Sequence, residues 1–312
     1  MTIIKKNIYI YIITIFLVFF NLIILIFPKE IMEAVRKGLL LWCNFVLPAL
    51  LPFMISVNLL KATPFPFMLS KFLSPVTNKL FGISGYGIFA VISGLLSGYP
   101  IGAKLVSELY TEKKLTKKEA NYLLSFTNNS GPLFITGTLG AGLLKDTKSG
   151  LFLLAIHYIS ALIIGIILPK PKTKITYSFS YQSFNIGIEL KKSIYNGIEA
   201  IVMVGGYIIF FSIICSLLQK FIAEYCLNSY AKGIIFGFLE ITNGCKELIN
   251  INQLSLSLIS GITAFGGLSV HSQSLGYISS TDLSSLRYIF FKFIHGISAF
   301  ILCFFLYPLY AQ

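Results

Sequence analysis

Two polar, glycine-containing stretches interrupt apolar segments long enough to cross a bilayer: Asn128-Asn129-Ser130-Gly131-Pro132 and Phe265-Gly266-Gly267-Leu268-Ser269-Val270-His271-Ser272-Gln273. Hydrocarbon offers backbone N–H and C=O groups no partners. Irregular chain at membrane depth therefore survives only inside protein or beside a polar cavity. The two stretches align at a constant offset of 135 residues, which sets Ser125 on Ser260, Gly131 on Gly266 and Leu133 on Leu268. Interruptions at matching places in two halves of a chain point to a transporter binding site.

Composition agrees. Only 12% of the residues are charged, against about 25% in soluble domains, so the chain reads as an all-α polytopic membrane protein. The net charge of +13 is no nucleic-acid signal, because the lysines sit in short loops between apolar segments, where orientation signals belong. Cys43, Cys215, Cys226, Cys245 and Cys303 show no CxxC spacing and read as small apolar packers, with no metal or other cofactor implied. His157 and His295 read as hydrogen-bonded core residues. There is no GxSxG, HExxH or phosphate loop, so no enzyme is expected.

The chain divides into an N-terminal transmembrane helix (1–30), a first repeat (31–168), a basic linker (169–192) and a second repeat (193–312). Asn7 to Phe27 carries no charge and is long enough to cross ~30 Å of hydrocarbon; no small-x-small cleavage site follows, so it reads as a retained helix. Ile31 to Lys61 spans, with Pro48 and Pro52 inside it. Phe65 to Lys79 reads as an interfacial segment. Gly82 to Glu108, cut by Ser97-Gly98-Tyr99-Pro100, reads as a hairpin that enters and returns. Tyr122 to Leu144 is a broken helix and Leu151 to Leu168 a span. In the second half Tyr195 to Leu218 spans, Lys232 to Leu248 is a shorter hairpin holding Glu240-Ile241-Thr242-Asn243-Gly244, Leu254 to Ile278 is broken at Phe265 to Gln273, and Tyr288 to Tyr310 spans.

Charge tests this plan. With the N-terminus in the cytosol, the inner loops before the second half hold fourteen lysines (among them Lys5, Lys6, Lys172, Lys174, Lys191 and Lys192), and the outer ones hold Lys29, Arg36, Lys37, Lys145 and Lys148. This bias fits the positive-inside rule only if Gly82 to Glu108 returns to the side it entered. Each half then has three crossings and one hairpin. Three is odd, so the expected fold is an inverted-topology repeat with re-entrant hairpins and broken helices. Arg287 and Lys292 lend mild support to an inner loop in the second half.

Several residues carry chemistry. Asn128, Asn129 and Ser130 offer uncharged donors and acceptors, and a helix restarting after Pro132 would aim its positive end at the break, a geometry that suits a carboxylate. The plainer alternative is hydrogen bonding between neighbouring helices. Gly266 and Gly267 permit unusual backbone angles; Ser269, His271 and Gln273 follow. Glu240 is an ionisable residue in an apolar stretch, a functional candidate by default, with an ion pair to Lys246 as the alternative. Ser97 sits at the first hairpin tip. Lys104 and Lys246 either neutralise a dianion or snorkel to the interface.

The segments Ser97 to Lys104, Leu124 to Phe134, Glu240 to Gly244 and Phe265 to Gln273 resemble the signatures of the YlbJ (SpoVV) family of sporulation integral membrane proteins with nucleoside-recognition, or Gate, domains. The similarity runs from about Ile31 to the C-terminus. The Gate domain is in turn similar to the core of concentrative nucleoside transporters. The resemblance implies paired hairpins and broken helices around a midplane site, placement in the outer forespore membrane, and movement of dipicolinic acid toward the spore. It makes Ser97, Asn128, Asn129, Ser130, Glu240, Thr242, Asn243, Ser269, His271 and Gln273 the site candidates. The expected function is thus transport of a small aromatic dicarboxylate. A cation-coupled nucleoside or nucleobase transporter and a non-transporting spore-envelope scaffold are the alternatives. The expected partners are the dicarboxylate and the lipid bilayer, with a homo-oligomer left open and no nucleic acid.

Overall fold

The computed structural model describes residues 2–171, 184–222, 225 and 227–311, with backbone alone for residues 2–7 and 9. Among them every regular element is a helix. The first half runs α1 (Thr2–Ile26), α2 (Pro28–Leu41), a π-helical turn Trp42–Val46, α3 (Leu47–Lys61), α4 (Phe65–Leu80), α5 (Gly85–Ser97), α6 (Ile101–Thr111), α7 (Lys117–Leu124), a π-helix Leu133–Leu144 and α8 (Thr147–Ile167). The second half runs α9 (Ile186–Ile222), α10 (Ser229–Leu239), α11 (Ile241–Lys246), α12 (Gln253–Phe265), α13 (Gly267–Ile278) and α14 (Ser285–Tyr310).

Among the described residues five stretches are long and apolar enough to cross a membrane: Pro28–Lys61, Thr147–Ile167, Ile186–Ile222, Gln253–Ile278 and Ser285–Tyr310. The protein is an all-α, multi-pass membrane protein. Pro48 and Pro52 do not break Pro28–Lys61, which stays helical throughout; in a bundle, neighbouring groups and local π adjustments satisfy the freed carbonyls. Amphipathic α4 meets α5 at 88°, with Met68, Phe72 and Val76 exposed on one side of it.

Lipid tails are as apolar as leucine, so helices associate in a membrane by close approach of small residues. An ideal Cβ on Gly140 would lie 2.7 Å from Gly150 Cα, and one on Gly261 would lie 3.2 Å from Gly296 O. These contacts seat the Leu133–Leu144 helix on α8, and α12 on α14. Both hairpins form by the same means. A Cβ on Gly94 would be 3.3 Å from Gly102 Cα, so α6 returns alongside α5; one on Gly244 would be 2.2 Å from Gly237 Cα, so α11 returns alongside α10.

Four expectations are corrected. The first broken helix starts at Lys117, not Tyr122, because Thr116 caps it by accepting the Glu119 N–H. The linker ends earlier than residue 192: α9 begins at Ile186, so Lys191 and Lys192 are helical; Lys172 and Lys174 lie outside the described residues. The second interruption is a single residue, Gly266, with Gly267 to Gln273 helical. Lys292 belongs to no loop. It sits inside α14 and is buried.

Candidate functional site

Each break is pressed by the hairpin of its own half. Gly98 has φ +84°, and a Cβ there would stand 2.7 Å from Gly131 N. Gly267 has φ +68°, and a Cβ there would stand 2.9 Å from Gly237 O. Only glycine combines these angles with such backbone contact. Where the four segments meet they enclose a cavity of about 60 Å³, room for a few water-sized molecules at the ~10–15 Å³ each requires. The first hairpin tip contributes Tyr99, the first break Ser130 and Gly131, the second tip Glu240 and Thr242, and α13 contributes Ser269 and Gln273. Apolar residues of the two long helices, including Leu41, Leu50, Val204 and Ile208, close the remaining walls.

Helix ends supply the electrostatics. Neither the Leu133–Leu144 helix nor α13 has a side-chain cap at its N-terminus, so both bring uncapped N–H groups and the positive end of a dipole to the cavity wall. α11 is different: the Glu240 carboxylate accepts the Asn243 N–H at 2.8 Å and caps that helix. The alternative pairing of Glu240 with Lys246 is not formed; Lys246 is exposed. Lys104 is buried instead of snorkelling, and its Nζ donates to Asn196 O at 3.3 Å.

Five of the ten candidates line this cavity: Ser130, Glu240, Thr242, Ser269 and Gln273. The others are close but turned elsewhere. Asn128 is consumed in packing: its Oδ1 accepts from Ala103 N, and its Nδ2 donates to Ser274 Oγ and Tyr288 Oη at 2.8 and 2.9 Å. Asn129 donates to Phe126 O. Ser97 Oγ, Asn129 Oδ1 and Ser130 Oγ are buried with no partner among the described residues. Asn243 lines a neighbouring cavity with Lys246. His271 lies on the side of α13 away from Ser269 and Gln273, since two residues turn a helix by about 200°. Its ring packs between Phe265 and Tyr288, and neither nitrogen has a partner among the described residues.

The functional residue missed from sequence is Lys292. Its Nζ donates to Tyr99 Oη at 2.7 Å and to Asn128 O at 3.0 Å, and lies 3.0 Å from His295 Nδ1. Three polar groups thus surround one buried amine. His295 Nε2 lies 3.0 Å from both His157 O and Ser160 Oγ. His157 Nε2 in turn accepts the Ser130 N–H at 3.1 Å, so both histidines are hydrogen-bonded core residues, as expected. Tyr99 Oη donates toward the carbonyls of Thr263 and Ala264, at the end of α12. One buried lysine therefore ties the first break, the first hairpin tip and, through Tyr99, the second break. An ionisable residue within the span Tyr288 to Tyr310 was the available signal.

Comparison with known proteins bears on this arrangement. The chain is 29% identical, over 95% of its length, to the sporulation integral membrane protein YlbJ of Bacillus subtilis (strain 168), 82% of which is covered. This similarity supports assignment to the YlbJ family. The similarity supports a membrane role in sporulation. No family model matches the chain, and no solved structure matches it. The four segments that carried the resemblance are the four that meet at the cavity.

Proposed function

We propose that the protein moves dipicolinic acid, a small aromatic dicarboxylate, across the outer forespore membrane during sporulation. The observation that supports this reading is two uncapped helix N-termini on one buried cavity bounded by both breaks and both hairpin tips. Helix N-termini favour carboxylates, and Glu240 on α11 is an internal instance of a carboxylate held that way. The two breaks belong to opposite-facing repeats, and rocking of one against the other would expose the cavity alternately.

A specific observation favours a second reading, a nucleoside or nucleobase as cargo: the cavity wall carries Glu240 and the neutral amide of Gln273 but no lysine or arginine. Uptake by purified protein in proteoliposomes separates the two. Labelled dipicolinate is expected to enter, with Ser269→Ala and Gln273→Ala slowing it and uridine not competing. Uridine entry with no dipicolinate entry would establish the second reading. Entry of neither, with spore dipicolinate unchanged in the cavity variants, would leave a non-transporting scaffold.

A further inference from the structure

We infer that the cavity is the narrow middle of a route that crosses the membrane along one ridge of α9. Two larger cavities flank it. One, of about 380 Å³, is lined by Lys104, Glu108, Glu199 and Tyr277 among others, and shares Val204 and Gln273 with the central cavity. The other, of about 300 Å³, is lined by Lys37, Gln219 and Lys246 among others, and shares Leu41 with it. Val204 and Gln273 thus border both the first flanking space and the centre, and Leu41 borders both the second and the centre.

The register of α9 carries the argument. Asn196, Ala200, Val204, Ile208, Ser212 and Ser216 lie four residues apart, and every one lines a cavity. Asn196 and Ala200 line the first flanking cavity, Val204 lines it and the centre, Ile208 lines the centre, and Ser212 and Ser216 line the second. Residues four apart form one continuous ridge on a helix. From Asn196 to Ser216 the rise is about 30 Å at 1.5 Å per residue, which matches the ~30 Å hydrocarbon thickness. The ridge is polar at its ends and small or apolar in its middle, the pattern of two wet mouths and a dry constriction. The opposite row, Ile198, Val202, Gly206 and Phe210, is exposed on the outside of the protein, where lipid would lie.

This inference rests on the transport reading but predicts water access whatever the cargo. Single cysteines are placed on a cysteine-free background at the six ridge positions and at the four outer ones. Vesicles of each orientation are then treated with a membrane-impermeant thiol reagent. Cysteines at 196 and 200 are expected to react from one face only, and those at 212 and 216 from the other. Each should react on the order of 10-fold faster than cysteines of the outer row, since a thiol in apolar surroundings is held unreactive. Ser212→Cys and Ser216→Cys exchange one oxygen for sulfur, and Ala200→Cys adds one atom, so these three report even if a bulkier change unfolds the chain. Equal labelling of ridge and outer row, or labelling of 200 and 212 from the same face, would overturn the route. Dipicolinate protection of Val204→Cys would support route and cargo together; the two-faced pattern without that protection would uphold the route and count against the cargo.

Discussion

The two breaks occupy matching places in the chain and are built in opposite ways. The first leaves the helical path from Ser125 to Gly131 and is held by side chains, with Asn128 bonded to Ala103, Ser274 and Tyr288 and its carbonyl held by Lys292. The second is a single glycine at φ +99° with no side-chain cap, so the chain simply ends one helix and starts the next. A polar interruption at membrane depth can thus be satisfied by amides reaching out to other helices, or be kept so short that little backbone is left over. The first solution is built from side chains; the second is built from the backbone.

That contrast sets the expected losses. Asn128→Ala removes three buried hydrogen bonds, and at roughly 1 kcal/mol each the protein should lose about 3 kcal/mol, read as a lowered midpoint in thermal unfolding of the detergent-solubilised protein. Asn129→Ala removes one bond, to Phe126 O, and should cost about a third as much. Equal losses would show that the first break is not anchored through Asn128. Gly266→Ala comes next. A left-handed conformation costs a non-glycine residue about 1–2 kcal/mol, and a Cβ there would also stand 3.2 Å from Val270 Cγ1. An alanine tolerated with no loss would mean that the break does not depend on a left-handed residue at 266.

Much of this was legible before the fold was known, and the reasons are local. Asn128 to Pro132 and Gly266 announce themselves because polar or flexible residues are anomalous in an apolar run. The hairpin tips announce themselves through Tyr99-Pro100 and Glu240. Which polar residues face the cavity was not legible. The spacing Ser269, His271, Gln273 looks like alternation, but the segment is helical and its period of 3.6 puts His271 behind the other two. Asn128 looked like a cargo ligand, yet its partners come from 103, 274 and 288, and nothing local signals contacts that distant. Lys292 was read as a loop charge for the same reason: its acceptors, Tyr99 and Asn128, come from the other half of the chain.

Glu240→Gln tests the second hairpin against both breaks. The amide oxygen can still accept the Asn243 N–H, so the cap geometry survives and only the charge-assisted part of the bond is lost. Such bonds are about twice as strong as neutral ones, which puts the expected stability loss near ~1 kcal/mol. The functional outcome is sharper. Removing a negative charge from a cavity that carries no lysine or arginine should strengthen binding of a dicarboxylate and leave a neutral nucleoside nearly unaffected. Calorimetric titration of the purified variant with dipicolinate and with uridine checks this, and weaker dipicolinate binding would break the anion reading.

The smallest effect is expected at His271, with its sign reversed. Both ring nitrogens are buried without a partner among the described residues, while the ring itself packs edge-on against Phe265 at 4.6 Å and Tyr288 at 5.6 Å. His271→Phe keeps both ring contacts and removes two unsatisfied polar atoms. A buried polar group without a hydrogen bond costs about 1–3 kcal/mol, but phenylalanine is larger and must be accommodated beside Tyr288, so the net change should lie between neutral and a gain of ~1 kcal/mol. Uptake should be unchanged, because α13 turns Ser269 and Gln273 toward the cavity and His271 away from it. A stabilised, fully active His271→Phe protein would show that the second break works through its backbone and the Ser269 face alone. Loss of uptake with the fold intact would place His271 in the working site, and the difference between a side-chain-built break and a backbone-built one would no longer hold.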